Sequence, residues 1–360
     1  MTVKDKNILW LDTFAFLTYQ KKIKLLSVFN VEQDIKAFFA SNSKIYEILT
    51  QDEVSKMQAG LNNELLERTI QDYEKQGIKT ITIYNENYPT ILKEIPSPPL
   101  CLYCKGNVQL LNTEAIAIVG TRKPTDYGIV TTKQYAKEFC GNDITIISGM
   151  AIGVDTIAHK TALEENGNTI AVLAGGFNHI YPLSNMQLFN KLTENNLVIS
   201  ENCPSILPAL YHFPIRNRII AGLSRGVLIT EAGAKSGSLH TANYANDFNR
   251  EVFSVPGKIS SPQSAGTNAI IKQNMANITL SPEDVLTNLG LKNSKPEKKC
   301  FVQLDIKHQL VLNYIQTEKR TFQEIADETK LSAQELNSIL LMLEMDGLVL
   351  KLANNSYISA

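Results

Sequence analysis

Six short apolar runs recur between Ala115 and about Leu289: AIAIVG, ITIISG, TIAVLAG, LVISE, GVLITE and EVFSVPG. Each closes on or near a glycine, serine or proline and gives way to a stretch of helical periodicity. Runs this short and this apolar suit strands covered on both faces rather than strands with one wet side. Strand–helix alternation implies right-handed crossovers, so the predicted fold class is α/β, a doubly wound, mostly parallel sheet. Ligands of such sheets sit at the carboxyl ends of the strands. Gly120, Gly149, Gly153, Gly175, Gly176, Gly233, Gly237 and Gly257 cluster at those ends.

Residues 1–76 carry helical patterns, such as Ile8, Leu9, Leu11, Phe14 and later Leu61, Leu65, Leu66, Ile70, and are expected to form a small helical domain. Between Gly77 and Asn107 the pattern is short and proline-broken, which reads as an extension packed on the next domain, so that domain is taken as 77–290. Residues 291–304 are polar and basic, with little to bury, and read as a linker. Residues 305–360 give three helices and a hairpin, a winged-helix pattern. Thr321 with Glu324, and Ser332 with Glu335, are capping boxes opening two of those helices. The expected recognition helix, from Ala333 to Met345, holds Glu335 and Glu344 but no Lys or Arg, which favours a protein-contact or structural role over groove binding.

No run of eighteen apolar residues exists, and the N-terminus lacks the charge order of a secretory signal, so a cytoplasmic protein with no membrane partner is expected. Five cysteines, at 101, 104, 140, 203 and 300, are odd in number and scattered, which argues against a disulfide framework. Cys101 and Cys104 form a CxxC with no second metal-binding half, so neither a metal nor a cofactor is expected. A net charge of −1 excludes a protein that coats nucleic acid by global charge. The window from Tyr211 to Arg250 departs from that average: Arg216, Arg218, Arg225, Lys235 and Arg250 face only Glu231 and Asp247, leaving +3.

Within that window, Glu231-Ala-Gly-Ala-Lys-Ser-Gly-Ser238 follows an expected strand and precedes an expected helix from Leu239 to Asn249. Gly233 and Gly237 let backbone N–H groups approach a ligand, Ser238 can cap the helix, and the helix start favours an anion. Lys235 adds a charge, and Ser236 and Ser238 add hydroxyls. A bland alternative is a turn that merely caps a helix. Upstream, Phe213-Pro-Ile-Arg216-Asn217-Arg218 opens a helix, with an aromatic ring for a base and cations for phosphates. The competing reading makes Phe213 a core residue and Arg216 and Arg218 structural salt-bridge groups. Arg122, just after the first strand of the alternation, is placed to fork onto a phosphate, the bland alternative being a surface arginine. Ser148 and Gly149 repeat the design after the next strand. Asp155 and His159, one turn apart on the following helix, read as a structural pair or ordinary surface contact rather than acid–base partners. Neither GxGxxG nor a Walker A string occurs, which disfavours dinucleotide binding and nucleotide hydrolysis.

AIVGTRKPTDYG, SGMAIGVDTIAH, TIAVLAGGFNHIYP, SENCPSILPALYHFPIRNRIIAGLS, ITEAGAKSGSLHTA and VFSVPG together resemble, in order and spacing, the bacterial DNA-processing protein DprA (Smf) family. The likeness is close over residues 80 to 290. It implies an extended Rossmann-like fold flanked by a helical domain of SAM or helix-hairpin-helix type and a winged helix. It also implies a non-enzymatic protein that binds and protects incoming single-stranded DNA, forms homodimers and loads RecA recombinase during natural transformation. In the family, positions matching Arg122, Phe213, Arg216, Lys235 and the loop around Gly237 contact DNA. The full set of expected site residues is Arg122, Ser148, Gly149, Phe213, Arg216, Asn217, Lys235, Ser236, Gly237 and Ser238. Met150 and Ile152 depart from the smaller or basic residues common in that turn, and the N-terminal segment lacks a clear helix-hairpin-helix glycine pattern. Two other functions stay open: a nucleoside monophosphate phosphoribohydrolase-like enzyme using Arg216 or Arg218 with Glu231, and a nucleotide sensor signalling through the winged helix.

Overall fold

The computed structural model describes residues 2–14, 16–28, 45–60, 63–291, 305–316, 318–352 and 355–359. Residues 292–304, with most of the expected linker and Cys300, lie outside the described residues, as do Leu61 of the N-terminal pattern and Asn354 of the expected hairpin turn. Five helices begin the described chain: α1 (Val3–Asp12), α2 (Tyr19–Val28), α3 (Ile45–Ile48), α4 (Gln51–Ala59) and α5 (Asn63–Lys75). Thr2 and Thr50 open α1 and α4 with capping boxes closed by Asp5 and Glu53.

The sheet is built from β1 (Ile78–Thr82), β2 (Cys101–Gly106), β3 (Ala115–Val119), β4 (Thr145–Ser148), β5 (Thr169–Val172), β6 (Leu197–Ser200), β7 (Gly226–Ile229), β8 (Glu251–Ser254) and β9 (Asn277–Ile278). Its order is β1-β2-β6-β5-β4-β3-β7-β8-β9. All six apolar runs form strands, and from β6 across to β9 every pairing is parallel. The Gly77–Asn107 extension supplies β1 and β2, which widen the sheet beyond β6, β2 antiparallel to β6 and β1 antiparallel to β2. Single-turn α6 (Thr90–Lys93) lies between them.

Alternation within the buried strands sorts side chains onto two faces. Ala117, Val119, Val227 and Ile229 join Ile219 and Ile220 in one core, while Ile116, Ile118 and Leu228 join Tyr135, Phe139 and Ala158 in another. The second core lies under α7 (Asp126–Gly141), α8 (Val154–Glu164) and, further along, Val285 and Leu286. After α9 (Met186–Asn195), α10 (His212–Gly222) and α11 (Ser238–Asp247) cover the first core. Each fully buried aliphatic or aromatic side chain contributes about 1.5–3 kcal/mol. α12 (Ala265–Lys272) and α13 (Pro282–Asn288) complete this part of the chain.

The N-terminal helices share a core with the antiparallel extension: Leu9 and Ile70 pack with Ile78, Cys101 and Tyr103, and Ile8 and Trp10 with Leu100. Thr82 Oγ1 donates to Asp5 Oδ1 at 2.5 Å across that junction. Cys101 and Cys104 stand three apart on β2, so they enter opposite cores and cannot jointly hold one metal ion.

Toward the C-terminus, α14 (Ile306–Ile315), α15 (Phe322–Thr329) and α16 (Ala333–Met345) surround Val311, Ile325, Leu336 and Leu340. Strands β10 (Arg320–Thr321), β11 (Val349–Leu352) and β12 (Ser356–Ser359) form an antiparallel sheet in the order β10-β12-β11. Both expected capping boxes are present, at Thr321 and Ser332. Among the described residues no helix is long and apolar enough to cross a membrane.

Candidate functional site

β3 and β7 lie side by side, with Val119 opposite Ile229, so both strands end at the same height. The chain leaves β3 toward β4 on one side and leaves β7 toward β8 on the other. Loops diverging in this way open a crevice above the carboxyl ends. Here it encloses about 810 Å³.

The crevice walls are held by bonds between the two loops. Thr121 N–H donates to the Glu231 carbonyl at 2.7 Å. The Glu231 carboxylate, itself buried, accepts from Thr125 N–H at 2.8 Å and from Thr125 Oγ1 at 2.7 Å. Thr125 in turn caps α7 by accepting from Gly128 N–H. Glu231 is therefore a tie between β7 and the start of α7. Arg218, one of the two arginines expected to accompany a catalytic Glu231, instead makes an ion pair with Glu201.

Eight of the ten expected site residues line the crevice: Arg122, Phe213, Arg216, Asn217, Lys235, Ser236, Gly237 and Ser238. Arg122 and Lys235 are exposed, and Lys235 makes no ion pair among the described residues. Half-buried Phe213 carries the Arg122 guanidinium 5.8 Å from its ring centroid. Arg216 lies on the floor, only 5 % exposed, with Nη1 donating to the carbonyls of Gly149 (2.6 Å) and Val172 and Nε donating to Asn217 Oδ1. Burial pushes its pKa down to about 10 against the pull of Asp155, so the guanidinium stays charged at neutral pH. Asn217 Nδ2 donates to the Gly237 carbonyl at 3.3 Å, fastening the lysine loop to α10.

Ser148 and Gly149 do not offer the donors expected of them. Ser148 is fully buried, and its hydroxyl donates to the Ile118 carbonyl at 2.7 Å. Gly149 N–H donates to Asp155 Oδ2 at 3.1 Å, and a side chain at this glycine would strike Arg216 Nη2. Gly149 still lines the smaller cavity that adjoins the crevice, with Arg122, Tyr181 and Phe213, and Ala151 and Asp155 after it line the crevice itself. Asp155 and His159 also take different partners: Asp155 accepts from Gly149 and Ala151, whereas His159 Nδ1 meets Thr169 Oγ1 at 2.7 Å. Burial, aided by Arg216, holds the His159 imidazole down to about 3.

The loop from Glu231 to Ser238 differs from expectation in detail. Helix α11 starts at Ser238 and its cap position is Gly237, so Ser238 is the first helical residue and not the cap. Ser236 Oγ instead meets Ser238 Oγ at 2.8 Å and accepts from Ser238 N–H at 3.4 Å. Gly237 has φ −63°, with nothing within 4 Å of where a Cβ would stand. Three of the window's five cations are paired. Arg218 pairs with Glu201, Arg225 with Glu114 at 3.5 Å and Arg250 with Glu94 at 2.9 Å, all acids outside the +3 window. The crevice draws its positive charge from Arg122, Arg216 and Lys235, with the Asp155 carboxylate beside Arg216 at its floor.

A profile of the family described as DNA recombination-mediator protein A matches residues 79–290. The chain belongs to that family. A second profile, the DprA winged helix domain, matches residues 302–355. The DNA processing protein DprA of Bacillus subtilis (strain 168) is 41% identical over 258 residues, covering 70% of this chain and 86% of that protein. Among solved structures, DNA processing protein A from Streptococcus pneumoniae gives a TM-score of 0.70 at 34% identity and covers 80% of this chain and 98% of that one. DNA processing protein A from Helicobacter pylori, solved for its single-stranded DNA binding mode, gives 0.54 at 33% identity over 59% of this chain and 95% of that one. The extended Rossmann-like fold and the winged helix are those of the family.

The sequence reading omitted Tyr181, Gln263 and His240, which also line the crevice. A signal existed for two of them. Tyr181 and Gln263 follow β5 and β8, so the carboxyl-end rule that singled out the glycines applies to their loops as well.

Proposed function

We propose that this protein binds single-stranded DNA in the switch-point crevice, protects it, and loads RecA recombinase on it during natural transformation. On this reading it acts in the cytoplasm as a homodimer and catalyses no covalent step. The observation that carries the reading is the convergence of Arg122, Phe213, Arg216, Lys235 and the Ser236–Ser238 loop on one crevice. An aromatic ring among cations suits unpaired strands, because a base held inside a duplex cannot reach it. The single-stranded DNA binding mode of the Helicobacter pylori relative supports the same choice. The start of α11 lies on the crevice wall, where the positive end of the helix dipole favours a phosphate oxygen.

Anisotropy titration with oligo-dT and with duplex tests the reading. Three neutralised phosphates at a slope of about −0.7 each give roughly a 20-fold loss of affinity between about 50 and 200 mM salt. Lys235→Ala lowers affinity about fourfold at about 0.15 M salt and makes the slope shallower by about 0.7. Equal affinity for duplex, or a response flat with salt, overturns single-strand binding. RecA filament growth on coated strands, and sedimentation of the purified protein, test the partner and the dimer separately.

A further inference from the structure

Phe213 is the ring that the sequence nominates for base stacking, yet its surface is already shared. Arg122 lies over it at 5.8 Å, and the Tyr181 ring meets it edge-to-face at 5.6 Å with an interplanar angle of 69°. Tyr181 is the more open of the two aromatics, 55 % exposed against a half-buried Phe213. It lines both the main crevice and a smaller adjoining cavity of about 40 Å³, bounded also by Arg122, Ile152 and Pro182. That cavity is too small for a base, so a base at this end must lie on the surface.

Tyr181 belongs to a different strand loop from Phe213, the one that follows β5. β5 lies beyond β4 from the switch point, so Tyr181 extends the aromatic surface away from Lys235 and the α11 start along the carboxyl edge of the sheet. A strand anchored by its phosphates at Lys235 and Arg122 therefore meets two aromatic side chains. Aromatic side chains accept any base, because every base presents a π-face.

We propose that Tyr181 is a second base-stacking platform of the crevice, receiving the base next to the one at Phe213. The inference rests on the single-strand reading above and adds to it the length of the track and a sequence-tolerant contact.

The test uses the full chain and oligo-dT, comparing wild type with Tyr181→Leu and Tyr181→Phe. Leucine keeps apolar bulk against Phe213 and removes the aromatic face. Tyr181→Leu is expected to weaken binding about tenfold with the salt slope unchanged, and Tyr181→Phe to recover most of that loss. A single 2-aminopurine moved along the oligomer should be quenched at adjacent positions in wild type, with one of them released in Tyr181→Leu. Unchanged affinity in Tyr181→Leu, loss in Tyr181→Phe equal to that in Tyr181→Leu, or an altered salt slope overturns the proposal while leaving single-strand binding intact. If wild type fails to bind oligo-dT, the parent reading falls and this one with it.

Discussion

Two glycines in the crevice region have opposite reasons for being glycine. Gly153 opens α8 at φ 86°, and a Cβ there would sit 2.4 Å from the Thr121 carbonyl oxygen and 2.7 Å from the Arg122 backbone. Gly153→Ala should destabilise the protein by about 1–3 kcal/mol and displace Arg122, visible as a lower urea midpoint together with weaker oligo-dT binding. Gly237 is in ordinary helical conformation with open space beside it. Gly237→Ala should leave the urea midpoint unchanged or raise it by up to about 1 kcal/mol of stability. Its cost should fall on oligo-dT affinity alone, since the added methyl stands where the strand's backbone would approach. Loss of stability without loss of binding would show that this glycine serves the fold. Sequence identified both glycines, but the conformational argument made for Gly237 belongs to Gly153.

At the scale of elements, the ends of β3 and β7 work as one unit because Glu231 joins them. Its carboxylate reaches back over a hundred residues to Thr125, and Gly128 is glycine because a Cβ would lie 2.3 Å from Glu231 Oε2. Glu231→Ala strands the Thr125 N–H and should cost about 1.5–3 kcal/mol, measured as a shift in urea midpoint. A catalytic Glu231 would show the reverse, with stability kept and turnover of a nucleoside monophosphate abolished. The strands themselves were legible, since short apolar runs bounded by glycines report local burial. The lysine loop was legible as the turn from β7 into α11, and it does line the crevice, but its cap was misplaced by one residue. Serine at a helix start signals a cap, yet the cap position falls to Gly237 with no side-chain cap bond, and the Asn217 bond to the Gly237 carbonyl helps hold that turn.

Across the whole molecule, the helices before β1 and the antiparallel pair β1–β2 form one packed extension rather than a helical body resting beside a sheet. Removing residues 1–76 should bare Leu100, Cys101 and Tyr103, so the truncated chain should aggregate or melt well below the full chain. Ending the chain at residue 291 should leave the melting of the sheet domain and its oligo-dT affinity nearly unchanged, because the crevice draws every wall residue from 119–263. An equally stable chain lacking residues 1–76 would refute the shared core. Sequence alone determined the parallel order-forming units, the winged helix with its two capping boxes, and the glycines gathered at strand ends, because periodicity and capping are properties of neighbours in the chain. Tertiary structure decided which charges remain free. Arg250 meets Glu94 across 156 positions and Arg218 meets Glu201 across 17, so a count over a window could not see that both were spent. It also buried Arg216 under the crevice and brought Tyr181 beside Phe213, since contacts between distant segments depend on strand order, which local patterns do not encode.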